Sequence, residues 1–191
     1  MLNDHLIFFA CWIAYYALHS ALASTWMKSK LSLNATIYRF LFSTFSTLGL
    51  MAILLFGASI YSPLFIPPNP ISFGLGMFLA AYGIFIVKRA FRNYSFTTFI
   101  GLKKEGTPAL KIDGLQSKIR HPLYTGTLLL VLGYVLFNPL LVNLISLIAV
   151  LIYLPFGIHY EEKKLIQLFG SEYMDYKKSV PALVPRFFKN Q

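Results

Sequence analysis

The chain has 191 residues, 57% of them hydrophobic and 13% charged, with a net charge of +10. Water-soluble domains carry about 25% charged residues, so the composition excludes a domain solvated on every side. The single cysteine, Cys11, excludes an intrachain disulfide.

Taken in chain order, the first apolar stretch runs from Leu6 to Trp26 with His19 as its only ionisable side chain. A span needs about 20 apolar residues, and this stretch predicts one near 5–26. It has no basic start and no convincing cleavage site, so it reads as a span and not as a removable signal peptide. From Phe40 to Val87 there is no charge, but "YSPLFIPPNP" at 61–70 interrupts the run. Prolines packed that closely cannot continue a helix in lipid, which predicts spans near 38–59 and 71–90. Between Leu123 and Tyr160 there is again no Asp, Glu, Lys or Arg, and "NP" at 138–139 divides the stretch. The prediction is a helical hairpin, 122–137 and 139–159, whose first arm is only about 22 Å long at 1.5 Å per residue and thins or tilts in the bilayer. The expected fold is an all-α integral membrane protein: one membrane domain over 1–191, with about five transmembrane helices, the last two forming the short hairpin.

All 17 Lys and Arg fall into three segments: 28–39, 88–120 and 163–189. The opposite side carries Asp4, the proline loop and the Asn138–Asn143 turn, with no basic residue. The positive-inside rule therefore places the basic segments and the C-terminus in the cytoplasm and the N-terminus outside. The positive charge is read as facing anionic lipid, not nucleic acid. The cytoplasmic parts are 91–121 and 160–191. The first contains turn signals at Gly106-Thr107-Pro108 and Asp113-Gly114 and reads as irregular loop or short strands. In the second, Leu165, Leu168 and Phe169 have helical spacing, Gly170 marks a break, and Tyr173 and Tyr176 begin a further amphipathic surface helix.

"IRHPLYTG" at 119–126 concentrates polar chemistry at the lip of the hairpin. His121 stands where an N-cap would sit and Pro122 at the first helical position, which proline favours. The helix start then aims free N–H groups and a positive dipole end at the cytoplasm, a site for carboxylate or phosphate. The hairpin's far end returns His159, Tyr160, Glu161 and Glu162 to the same depth. Two readings stand at this point. Arg120 and Glu162 form an ion pair that locks the hairpin, or the group binds a ligand carrying both a carboxylate and an ammonium.

"RHPLYTG" (120–126), the apolar hairpin, and "EEKKLIQLFGSEYMDYKKSVP" (161–181) together follow the ordered pattern RHPxY, EExxL, FGxxY and YxxxVP. In this the chain resembles the isoprenylcysteine carboxyl methyltransferase and phospholipid methyltransferase superfamily over about 90–187. Its N-terminal half, with "LHSALAS" and "YRFLF", is similar to the small bacterial, NnrU-like branch, which implies the bacterial cytoplasmic membrane. The resemblance implies an S-adenosylmethionine-dependent membrane methyltransferase. It assigns Arg120 and Glu162 as indispensable catalytic residues. The implied cofactor pocket is lined by Leu115, His121, Pro122, Tyr124 and Gly126 and closed by Glu161, Glu162, Tyr173 and Tyr176. Leu115 and Gly126 would allow close approach of the adenosyl part, with Asn93 and Tyr94 as further candidates on that side. No GxGxxG loop stands between a strand and a helix. The acceptor, a small or lipid-like thiol, carboxylate or amine, would arrive from the bilayer through a lateral opening, oriented by Arg120 or a glutamate.

Elsewhere, His19 with Ser20 and Ser24 reads as interhelical bonding, and Arg39 as a side chain snorkelling to the interface. His159 and Glu162 are an i, i+3 pair, but four histidines without a repeated ligand pair give no metal site. A membrane reductase of the sterol-reductase type is a second reading, although such proteins have about twice the spans. A non-catalytic membrane scaffold is a third. The concentration of polar chemistry at the cytoplasmic lip favours an enzyme.

Overall fold

The computed structural model describes residues 2–92, 95–103 and 109–186. Among them the regular structure is helical: α1 Leu2–Ala23, α2 Thr25–Leu31, α3 Ala35–Ser59, α4 Pro70–Ala90, α5 Phe96–Phe99, α6 Pro122–Phe137, α7 Leu141–Phe169 and α8 Ser171–Ser179. Helices α1, α3, α4 and α7 are long and apolar enough to cross a membrane, and α6 is the short apolar arm. The protein is an integral membrane protein. Gly106-Thr107-Pro108, Asn93 and Tyr94 lie outside the described residues.

Helix boundaries follow local chemistry. Asn34 accepts from the Thr36 N–H at the start of α3. Asn69 and Ser72 form a reciprocal capping box with Pro70 at the head of α4. Both satisfy N–H groups that a helix start leaves unpaired. The N-terminus of α7 has no cap of its own, and the Ser62 hydroxyl accepts from the Val142 N–H at 2.9 Å. The same hydroxyl meets His5 Nε2 at 3.0 Å. A single antiparallel bridge, Leu64 to Leu140, completes the tie between the proline loop and the hairpin turn. Gly170, with φ of 58°, ends α7 and turns the chain into α8.

Two packing units make up the membrane part. In the first, Phe8, Trp12, Ile53, Val142 and Ala149 join α1, α3 and α7 in one apolar core. The second is the α4–α6 pair, in which backbone meets backbone. A Cβ on Gly133 would lie 2.5 Å from the Ala80 N, and one on Gly76 2.6 Å from the Phe137 N. Gly83 and Gly126 face each other in the same way. In lipid there is little hydrophobic drive between helices, so close approach through small residues supplies the association. This contact fixes the short α6 against a full-length span.

At about 1.5 Å per residue the 29 residues of α7 extend about 43 Å, against a hydrocarbon thickness of about 30 Å. Its apolar part ends at Tyr160, and the helix continues through the charged stretch that opens with Glu161 and Glu162 to Phe169. There Leu165, Ile166 and Phe169 join Leu110, Tyr173, Tyr176 and Val180 in a second core. The site stands at the junction of the two regions.

Candidate functional site

His121 is the N-cap of α6 and Pro122 opens the helix, as the sequence predicts. The imidazole makes no capping bond, so the first N–H groups of α6 keep their positive end at the lip. The tail is laid along this start. The Arg120 and His121 N–H groups donate to the Pro181 and Ala182 carbonyls at 2.9 and 3.0 Å. The Thr125 hydroxyl donates to the Leu183 carbonyl at 2.8 Å.

The two adjacent glutamates face different ways because neighbouring residues on a helix are 100° apart. Glu162 shares a face with Leu165, Ile166 and Phe169 and points beneath α8, where it is 5% exposed. Its Oε1 accepts from Arg120 Nε at 2.9 Å and Nη2 at 2.6 Å, and lies 3.1 Å from His121 Nε2. Its Oε2 meets Lys177 Nζ at 2.6 Å. Arg120 Nη1 donates to the Lys177 carbonyl at 2.9 Å and also to that of Val180. Arg120 thus spends its donors on Glu162 and on the tail backbone. Burial pushes the Glu162 carboxyl up, but hydrogen bonds from Lys177, His121 and Arg120 outweigh it and hold the group at about 2.

Glu161 faces α6 instead and is half-exposed. Its Oε2 stands 3.5 Å from His121 Nδ1, and the Tyr124 hydroxyl faces the same carboxylate. The Tyr124 ring meets the His121 ring edge-on at 5.6 Å. Tyr124 also passes close to α7, its hydroxyl 3.3 Å from where a Cβ on Gly157 would stand. The carboxylate that remains accessible to a ligand is therefore Glu161.

Tyr173 is 1% exposed, and its hydroxyl has no hydrogen-bond partner among the described residues. Burial raises its pKa, so it stays a neutral donor. Tyr176 is also buried, and its hydroxyl donates to the Gln116 carbonyl at 2.6 Å, fastening α8 to the 113–119 turn.

Of the residues singled out from the sequence, Arg120, His121, Pro122, Tyr124, Glu161, Glu162, Tyr173 and Tyr176 come together at this lip. Two are used differently. Gly126 turns its open face to Gly83 and Val87, so helix packing accounts for it. Leu115 lies half-buried in the 113–119 turn, where its carbonyl accepts from the Lys118 and Ile119 N–H groups at 3.0 Å. His19 meets the Ser46 hydroxyl at 3.0 Å across α1 and α3. Arg39 donates to the Thr98 carbonyl at 3.2 Å, tying α3 to α5. His159 is exposed at the surface. Sequence reasoning missed Lys177, buried Gln116 and buried Ile119. The one signal available was Lys177 at i+4 from Tyr173, on the face of α8 that docks.

Residues 71–172 match the model of the phospholipid methyltransferase family. Among characterised proteins, the chain is 38% identical over 95 residues to protein-S-isoprenylcysteine O-methyltransferase B of Arabidopsis thaliana, covering 48% of this chain and 47% of that protein. It is 36% identical over 96 residues to the protein-S-isoprenylcysteine O-methyltransferase of Saccharomyces cerevisiae, covering 49% and 39%. It is 33% identical over 101 residues to methanethiol S-methyltransferase 2 of Bradyrhizobium diazoefficiens, covering 49% and 35%. The chain spans less than half the length of each of these relatives. The matched segment takes in α4 from Ile71, the α6–α7 hairpin with Arg120, His121 and both glutamates, and the first residues of α8, ending before Tyr173, Tyr176 and Lys177; it covers more than half of the chain, and the chain belongs to the phospholipid methyltransferase family.

Proposed function

We propose that the protein is a membrane methyltransferase that uses S-adenosylmethionine and methylates a small or lipid-like acceptor reached from the bilayer. The observation that carries this reading is the division of labour between the two glutamates beside an uncapped helix start. The groups at the lip fit the amino-acid end of such a cofactor. The N–H groups of α6 suit a carboxylate, Glu161 suits an ammonium, and the orphaned Tyr173 hydroxyl is a buried donor that a ligand would satisfy. When bound, the cofactor supplies a methyl group already activated on a sulfonium.

The chain's own work is then positioning and exclusion of water. Arg120 and Glu162 act as positioning residues: they clamp α8 and the 180–183 segment over the helix start, which keeps water from the lip. His121, held between both carboxylates, orients them. Tyr124 orients Glu161 from the membrane side. With the basic segments in the cytoplasm, the cofactor enters from that side, and the acceptor meets it where α6 and α7 emerge from the lipid. The relatives are named for a thiol and for isoprenylcysteine, and a thiol or carboxylate acceptor suits this arrangement because neither needs a strong base in the site.

The test is transfer of labelled methyl from S-adenosylmethionine by purified protein to methanethiol and to a prenylated cysteine. Acceptor-dependent label that Glu161→Gln reduces at least tenfold supports the reading. Label transfer with neither acceptor, by protein that melts cooperatively, would count against it.

A further inference from the structure

One face of α4 is used for packing and the other is not. Gly76, Gly83, Ile86 and Ala90 are buried, with both glycines set against α6. The outward face carries Phe78, Tyr82 and Phe85, all exposed and in register: successive ring centroids are 6.1 and 6.2 Å apart and interplanar angles are 2° and 16°. The spacing i, i+4, i+7 continues at the cytoplasmic end into Arg89 and Arg92, with Lys88 beside them. There Phe85, Lys88, Arg89, Phe91 and Arg92 line a cleft of about 320 Å³. Phe91 meets Phe96 and Phe99 edge-on at 5.4 and 5.3 Å, which extends the aromatic wall to α5.

Three cations within five residues form no ion pair among the described residues. Compensation of the α4 dipole accounts for charge in the last turn. It does not call for a cleft between the cations or for an aromatic track leading into it. We propose that this face is a binding site for one anionic phospholipid. Its phosphodiester headgroup sits in the cationic cleft, and an acyl chain lies along the Phe78–Tyr82–Phe85 stripe. Charge complementarity selects the headgroup, and the stripe selects a lipid over a free anion. The cleft volume is at the small end of ligand sites, which suits a compact phosphodiester headgroup. The site lies on the face of α4 turned away from α6, so it is separate from the lip and does not depend on the methyl-transfer reading.

The experiment is native mass spectrometry of the full chain after reconstitution in phosphatidylcholine vesicles containing a minority of phosphatidylglycerol. One phosphatidylglycerol is expected to remain bound in preference to phosphatidylcholine. Each basic residue near an anionic headgroup contributes about fivefold, so Arg89→Gln/Arg92→Gln is expected to lower the preference about 25-fold. Lys28→Gln/Lys30→Gln, which removes two charges from α2 on the same membrane side, is expected to leave it unchanged. Both pairs are exposed, and unchanged melting verifies that the variants fold. Equal retention of the two lipids, equal loss in both double variants, or displacement by free glycerol phosphate would each overturn the proposal.

Discussion

Replacing Glu162 by glutamine tests whether the buried carboxylate holds the tail down. The wild-type Oε1 sits 2.6–3.1 Å from Arg120 Nε, Arg120 Nη2 and His121 Nε2, and Oε2 meets Lys177 Nζ at 2.6 Å. The amide keeps the shape but removes the charge, and its NH₂ group must face Lys177 or Arg120, donor against donor. Lys177 is 42% exposed on its side chain, and exposed pairs contribute only about 0–1 kcal/mol. Arg120 is 9% exposed, and leaving one member of a buried pair uncompensated costs about 3–5 kcal/mol. Taking the lower end, because Arg120 keeps its bonds to tail carbonyls, the loss is about 3 kcal/mol. At about 1.4 kcal/mol per decade this is roughly a hundredfold rise in local opening. Hydrogen–deuterium exchange reads it directly. Protection of the α8 amides, and of the Arg120 and His121 N–H groups that bond the tail, should fall about a hundredfold, while α4 and α6 hold. Lys177→Met should change the same amides no more than about fivefold. Equal, small effects in both variants would refute the clamp.

Three further outcomes follow from the same geometry. Glu162 has its carboxyl held at about 2 in the folded chain, below the ordinary range near 4.5, so its contribution is complete above about pH 4.5 and is lost as pH falls through 2; tail protection should hold from neutral to mildly acidic pH and fail below it. Gly133→Ala drives a methyl group into the Ala80 backbone and should cost about 2 kcal/mol, a drop of roughly 4–8 °C in detergent melting, whereas Gly74→Ala, with open space around it, should not lower the midpoint. Ser146→Ala removes the acceptor of the 3.1 Å bond from Trp12 Nε1 while leaving the buried indole in place, and since interhelical bonds in membranes average about 0.6 kcal/mol, the midpoint should fall only about 1–2 °C.

The spans, the hairpin and the break at Gly170 are legible in the sequence because each is a local matter of apolar run length or of a residue that ends a helix. His121 and Pro122 are legible for the same reason. The partition between Glu161 and Glu162 is not, because it depends on which of two neighbouring positions shares a face with Leu165 and Ile166, and on α8 folding back to cover that face. Gly126 shows the same limit from the other side. A glycine near a site suggests room for a ligand, and only the three-dimensional approach of α4 reveals that Gly83 and Val87 already occupy that room. Lys177 is one of six basic residues in the tail; its place four residues after Tyr173 puts it on the docking face of α8, but nothing local names Glu162 as the group it meets. Gln116 is hidden by its setting, a polar residue in a basic loop that becomes buried through the Tyr176 bond.

Calorimetric titration of S-adenosylhomocysteine into the wild-type protein and Tyr173→Phe decides whether the lip under α8 holds S-adenosylmethionine. The Tyr173 hydroxyl has no partner among the described residues, so its removal leaves the fold intact or slightly more stable. The wild type is expected to bind at micromolar concentration, and Tyr173→Phe about tenfold more weakly at an unchanged melting temperature. No binding by cooperatively melting wild-type protein, or identical binding by both, would contradict this expectation.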